Sequence, residues 1–403
     1  MGSADRYSRG RPPRVLALTA GVVGLLVGCG EEAGSPTAPD TAPLLTTALA
    51  TAPLRFRQVS TGYGFTCGVT ADDRAYCWGH NGSGQLGDGT TTPRSRPHAV
   101  TGGLRFRHVN AGTNHVCGVT TEDRAYCWGY GGTGQLGNGS TSDVRSTPSL
   151  VADGRRYRQV RAGSSHTCAV TVYDVAFCWG YNDDGQLGEG TTTMRLTPVR
   201  VLGGLRWEEV SGGQTHTCGL TTDNKAHCWG AHGGADGTGA DLLKPALVPG
   251  GVVFRRIEAG GGHTCGISVE DRAYCWGFNV DGEVGTGTTT YYYAQPVAIS
   301  GSRRFRYLNS GYTHSCAVTR AERGFCWGFN GSGQLGDGTT TTRFVPTAID
   351  TDLSWLQVSA SVMHSCAVAT NQHAYCWGSN LDGELGDGTT TSRLKPVPVG
   401  GPI

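Results

Sequence analysis

Fourteen of the fifteen cysteines in this chain fall into seven pairs of identical spacing. Cys67 goes with Cys77, Cys117 with Cys127, Cys168 with Cys178, Cys218 with Cys228, Cys265 with Cys275, Cys316 with Cys326 and Cys366 with Cys376. In six of the pairs a histidine stands two residues before the first cysteine: His115, His166, His216, His263, His314 and His364. Two chemistries suit that set, a disulfide within each pair or a zinc ion held by His, Cys, Cys and a fourth ligand. Zinc fits poorly. The first pair has Phe65 in place of the histidine, no fourth ligand recurs, and the spacing is not that of a zinc finger. No metal is therefore expected, and the histidines read as hydrogen-bonders that recur because their surroundings recur.

The elements that position the cysteines can be read from one unit, residues 104–152. Leu104 to Val109 alternates apolar and polar residues, as a half-buried strand does. His115 to Val119 is a second strand, Glu122-Asp123 a turn, and Ala125 to Gly129 the returning strand. A loop, Gly134 to Ser140, leads to a short last strand around Thr147 to Val151. Glu122 is the midpoint between Cys117 and Cys127, so the hairpin sets them opposite each other, at a separation that a disulfide spans. Tyr126 and Trp128 then fall on the other face. Trp-Gly follows every second cysteine, and the steps between those tryptophans are 50, 51, 50, 47, 51 and 50 residues. A period of this size, built from four short strands and Gly-rich turns, predicts an all-β seven-bladed β-propeller with one blade per repeat.

Cys29 stands apart from the repeats. Arg6, Arg9, Arg11 and Arg14 precede an uncharged, mostly apolar run from Val15 to Val27, too short to span a bilayer as a helix but suited to a secretory leader. The run ends in Leu26-Val27-Gly28-Cys29, which resembles the lipobox of bacterial lipoproteins. That resemblance implies a leader over 1–28, cleavage before Cys29 and acylation of its thiol, with the chain extracytoplasmic and lipid-anchored at the outer membrane or cell surface. Residues 29–52, rich in Thr, Ala and Pro, read as a tether, and 53–403 as the propeller. An exported chain meets an oxidising compartment, where all seven cysteine pairs are expected as disulfides.

Composition excludes more than it assigns. A formal net charge of +1 gives no reason to expect nucleic-acid binding. The 65 glycines suit many tight turns. No nucleophile elbow, metalloprotease motif or P-loop is present, so no catalytic residue and no cofactor is expected.

The repeats resemble the regulator-of-chromosome-condensation family: His-x-Cys-x9-Cys-Trp-Gly, then Asn-Gly-Ser-Gly-Gln-Leu-Gly-Asp-Gly, as at Asn81 to Gly89 and Asn330 to Gly338. The likeness covers residues 54 to 399 and implies the same seven-bladed propeller. The family's nucleotide-exchange activity is not expected here, because the leader places the chain outside the cytoplasm. Pro396-Val397-Pro398-Val399 ends the last repeat and no such strand precedes Phe56, so the C-terminal strand is expected to complete the first blade.

Features shared by seven blades cannot mark one site, so function is sought where the repeats differ. Blade four has His227 where the others have Tyr or Phe, and Ala231 to Asp236 replaces the usual loop, bringing in His232 and Asp236. Blade five carries Tyr291-Tyr292-Tyr293 where others have Thr and Arg. Asn182 to Gly185, Asn279 to Glu283 and Asn380 to Glu384 offer oxygen ligands, but they lack a full calcium loop and are what tight turns use. Arg55-Phe56-Arg57 and its copies read as an inward aromatic between solvent-facing arginines. The expectation is a monomeric, non-catalytic binding module presenting loops to a protein. A glycan is the alternative ligand, with Tyr291, Tyr292 and Tyr293 as its cue. An enzyme would need a singular acid–base cluster facing the channel.

Overall fold

Each repeat folds into one four-stranded antiparallel sheet whose strands follow chain order. The computed structural model describes residues 54–142, 144–231 and 241–401, so Cys29, His232 and Asp236 lie outside the described residues. In the reference unit the strands are Phe106–Ala111, His115–Thr120, Ala125–Tyr130 and Val144–Leu150. The first strands end in turns from all seven blades that line one central cavity, which makes them the innermost. The seven sheets form a seven-bladed β-propeller. Among the described residues no helix is long and apolar enough to cross a membrane.

The hairpin that joins the second and third strands holds the cysteines, which are register partners, as Cys117 is of Cys127. All seven expected disulfides are present. Cys67 is bonded to Cys77, Cys117 to Cys127, Cys168 to Cys178, Cys218 to Cys228, Cys265 to Cys275, Cys316 to Cys326 and Cys366 to Cys376, with Cα atoms 4.0 to 4.1 Å apart. Every one of these cysteines is buried. Glu122-Asp123 makes the turn, with Asp123 at a φ of 64° and its amide donating to the Thr120 carbonyl at 3.0 Å. The glycine after each tryptophan is required by the close approach of two strands. At Gly79 (φ 100°) a Cβ would lie 2.5 Å from the Gly64 carbonyl oxygen.

Blades are joined by bonds that repeat around the ring. His115 Nε2 meets Thr167 Oγ1 of the next blade at 2.9 Å, and His166, His216, His263, His314 and His364 do the same to Thr217, Thr264, Ser315, Ser365 and Thr66. The histidines thus turn to hydroxyls of the neighbouring blade, while the cysteines bond to each other. Trp128 Nε1 donates to the Gln85 carbonyl of the preceding blade at 3.0 Å, a contact repeated by five other tryptophans. Trp276, at the joint with blade four, has no acceptor for its buried indole N–H among the described residues. The Asn-x-x-Gly-Gln-Leu-Gly loop is organised by its asparagine. Asn81 Oδ1 accepts from the Leu86 amide, and its Nδ2 donates to the Thr90 and Thr92 carbonyls. Asn182, Asn279 and Asn380 are committed in the same way, so these loops spend their polar groups on themselves.

Ring closure differs from the sequence expectation. The C-terminal strand Arg393–Pro398 pairs with Ala374–Gly378 of blade seven, and blade one takes all four strands from Phe56–Ala99. Among the described residues no strand is exchanged. A repeat that begins at the Arg-aromatic strand already contains its own Pro-bearing outer strand, Arg94–Ala99 in blade one, so none is left over. The ring closes by the same bonds that join other blades: Phe56 N donates to the Gln372 carbonyl at 2.7 Å, and Gln357 takes both backbone groups of Val59.

Candidate functional site

The two ends of the ring differ in what they carry. One end bears the hairpin turns such as 71–74. The other bears the inner turns, such as 62–64, and the long loops after Trp-Gly. The inner turns of all seven blades surround a polar cavity of about 100 Å³ at the mouth of the central channel. Backbone bonds link neighbouring turns around this mouth, as from Ser164 N to the Gly213 carbonyl at 3.0 Å and from Tyr312 N to the Ser361 carbonyl at 2.9 Å. The Tyr312 side chain reaches toward Ser164 on the opposite side of the ring, and burial raises the pKa of its hydroxyl.

Two positions of each inner strand point toward the next blade, and in most blades they clip it. Gln58 both donates to the Val109 carbonyl and accepts from the Val109 amide. Ser60 Oγ accepts from the Ala111 amide at 2.9 Å, and Asn110, Ser211, Asn309 and Ser359 play that part elsewhere. Blades three and five depart from this. They place Arg161 and Glu258 there, and the two form an ion pair of 3.3 Å past the intervening blade, with side-chain exposures of 18% and 4%. Arg256 also bonds Glu258 and stacks 4.1 Å over the Tyr307 ring. Asn309 Nδ2 approaches Glu258 at 3.4 Å. Burial pushes the Glu209 carboxyl up, and burial together with Arg161 and Arg107 lowers the His108 pKa to about 3. This is a singular charged cluster facing the channel, shared among blades two to six rather than confined to blade four. The signal lay in the sequence, in the seven inner strands set one under another: Gln, His or Tyr with Ser or Asn in blades one, two, six and seven, and Arg161, Glu209, Arg256 and Glu258 in the other three.

The blade-five tyrosines divide between two roles. Tyr291 and Tyr292 flank the Phe278 ring at 5.5 and 5.4 Å, both in edge contacts. Phe278 in turn lies beside Gly262 of the inner turn, where a Cβ would meet its ring at 2.8 Å. The platform therefore reaches from the outer loop to the channel mouth. Tyr293 turns inward, and its hydroxyl bonds Thr286 and Thr288. Tyr291 is 64% exposed. Tyr63, Val280, Met363 and Leu381 are further exposed apolar residues on this end of the ring. His227 is elsewhere. It stacks edge-on against Trp207 at 5.8 Å, the place Tyr274 and Tyr375 hold beside Phe254 and Trp355, and burial lowers its pKa. The structure does not bring it together with the tyrosines. Among the described residues no group of three or more His, Cys, Asp or Glu is placed to hold a metal.

A family model described as the RCC1-like domain matches residues 14–307, and one for the regulator of chromosome condensation (RCC1) repeat matches 323–368. The chain belongs to the RCC1-like family. Among solved structures, this RCC1-like chain is similar to human WBSCR16, at 20% identity and a TM-score of 0.72 over 78% of this chain and 87% of that one. It is also similar to Prp20p from Saccharomyces cerevisiae, at 23% identity and a TM-score of 0.68 over 77% of this chain and 82% of the other. The CRINKLY ectodomain of the Arabidopsis thaliana receptor kinase ACR4 aligns at 22% identity and a TM-score of 0.52, over 83% and 96%. At such identities the likeness shows the shared propeller. No curated protein matches the chain.

Proposed function

We propose that this chain is a non-catalytic binding module of the bacterial cell envelope. In this reading residues 1–28 export it, Cys29 carries the lipid, 29–52 tether it, and 53–403 engage a protein through the channel-mouth face. The observation that carries the proposal is the Tyr291–Phe278–Tyr292 platform. It is aromatic, carries the exposed Tyr291, adjoins the mouth, and among the described residues occurs in one blade. Aromatic side chains supply most protein-interface hot spots, whereas residues repeated in every blade serve the ring. Prp20p, a propeller of the same fold, binds Gsp1p and histones, which supports protein recognition as a use of such a ring. Seven buried disulfides suit an oxidising compartment.

The cavity supports surface contact over enclosed chemistry. At about 100 Å³ it is well below the roughly 300 Å³ or more of typical small-molecule sites, and Arg161 and Glu258 neutralise each other inside it. An exposed tyrosine also suits a sugar face, so glycan is the second ligand to test. Immobilised propeller is exposed to envelope extract and, separately, to envelope polysaccharide. The reading expects a discrete protein whose retention Tyr291→Ala abolishes. Retention of polysaccharide alone, lost in the same variant, would replace it with the glycan reading.

A further inference from the structure

We propose that the face opposite the channel mouth is a membrane-contact surface for anionic phospholipid headgroups, so that the ring rests on the bilayer with its mouth outward. The proposal deepens the anchored reading above and rests on it for the outward direction of the mouth. The surface itself stands on three observations.

The first is where the chain enters and leaves. Ala71 N, in a hairpin turn, donates to the Arg55 carbonyl at 3.0 Å, so residues 54 and 55 meet the ring on the turn-bearing face. Val399 N donates to the Ala374 carbonyl at 2.9 Å, beside the turn 371–373, so the other end leaves there too. A tether from Cys29 therefore joins the ring on this face and not at the mouth.

The second is charge. Arg55, Arg156, Arg272, Arg303 and Arg323 are exposed at the hairpin turns and strand entries of this face, and none makes an ion pair among the described residues. Neighbouring arginines are neutralised, as in Arg57 with Asp73, Arg107 with Asp123 and Arg158 with Asp174. The exposed Glu122, Glu270 and Asp352 oppose the free arginines but are fewer. Four arginines that follow the mouth-side loops are paired instead, Arg94 with Asp88, Arg195 with Glu189, Arg343 with Asp337 and Arg393 with Asp387, while Arg145 makes no ion pair among the described residues. Unpaired arginines are thus more numerous on the face where the chain enters.

The third is apolar exposure beside those charges. Tyr173 sits 74% exposed in a turn whose Val172 amide bonds the Arg156 carbonyl. Val253 and Val269 are exposed together on blade five, joined by a 3.0 Å backbone bond. Basic residues next to exposed aromatic and aliphatic ones match the two-part chemistry of a lipid interface, headgroup charge above acyl chains. A nucleic-acid backbone would use the arginines and leave the valines in water.

Leu49–Ile403 is a compact unit whose ring closes on its own bonds, so that unit is tested without any lipid. It is sedimented with phosphatidylcholine vesicles and with mixed phosphatidylglycerol–phosphatidylcholine vesicles. Binding is expected to the mixed vesicles only, and to disappear at high salt, which screens headgroup charge within a few ångströms. Arg156→Gln, Arg303→Gln and Arg323→Gln together are expected to weaken it by roughly fivefold for each arginine. Tyr173→Ser should weaken it further, and Leu381→Ser on the mouth side should not. The salt titration needs no variant, so a misfolded triple mutant does not rescue the idea. Absent binding, equal binding to neutral vesicles, wild-type binding by the folded triple variant, or a preference for duplex DNA overturns the proposal. Palmitate incorporation at Cys29 in cells is scored separately; its absence would remove the anchor and leave the vesicle result standing.

Discussion

Phe65 and Val116 lie together in one buried cluster at the joint of blades one and two, where each of the six other joints carries a histidine bonded to a hydroxyl. The two departures answer each other. A histidine here would face a methyl group, and a hydroxyl opposite Phe65 would face a ring. An apolar pair replaces a polar one, and the cost of an unpaired buried group is avoided. Phe65→His alone should therefore destabilise the propeller by about 1–3 kcal/mol. Phe65→His with Val116→Thr should recover most of that, and a double-mutant cycle by chemical denaturation measures the coupling.

The histidine ring makes stability depend on acid. Burial lowers His115, His166, His263, His314 and His364 to about 3 and His216 to about 4. Above the unfolded value of about 6.5 both states are neutral and no difference arises. Below it the unfolded chain takes up protons that the folded ring refuses, so stability falls from pH 6.5 toward the folded values. At pH 5 the loss is about 2 kcal/mol for each histidine. Melting temperature should fall steeply between pH 7 and 5. His364→Phe with Thr66→Val, copying the natural apolar pair, should flatten that slope by one proton. An unchanged slope would contradict neutral buried histidines.

Breaking the channel ion pair should cost less than its burial suggests. Arg161→Ala leaves Glu258 with Arg256 and Asn309, so a loss of about 1–2 kcal/mol is expected rather than the 3–5 typical of an orphaned buried charge. Replacing both, Arg161→Ser with Glu258→Ser, installs the clip residue used by blades one, four and seven. That double variant also takes the Glu258 carboxylate from Arg256, so by urea denaturation it should cost more than Arg161→Ala alone.

The disulfides should prove shielded as well as stabilising. Every paired cysteine is buried, so reductant should act only as fast as blades open. Intact mass should rise by fourteen hydrogens on reduction of the unfolded chain, and Cys67→Ala with Cys77→Ala should cost about 2–3 kcal/mol. Free thiols in the folded protein would contradict the pairing.

Much of the fold was legible because its causes are local and repeated. Cys117 and Cys127 lie ten residues apart about a turn at Glu122-Asp123, so spacing alone sets their register. The role of the histidines was legible, but their partners were not, since each lies a whole repeat away. Blade closure was misjudged because a missing strand before Phe56 looks like a gap until Arg94–Ala99 is counted as blade one's own. Period-two alternation would set Tyr291 and Tyr293 on one face, whereas Tyr291 and Tyr292 share the Phe278 ring and Tyr293 turns in. The Arg161–Glu258 pair was not found, because 97 residues separate its members and only ring curvature brings them together. Blade four drew attention by His227 and its replaced loop, whereas blades three and five differ by one and two residues on the inner strand.

The central claim is that a protein partner is met at the channel mouth. A photo-crosslinking amino acid placed at position 291 in cells, with position 173 as its counterpart on the opposite face, tests it most directly. A discrete protein adduct from 291, and none from 173, is the result expected. Protein adducts from 173 alone, or none from either position with the ring shown to be folded, would contradict the account.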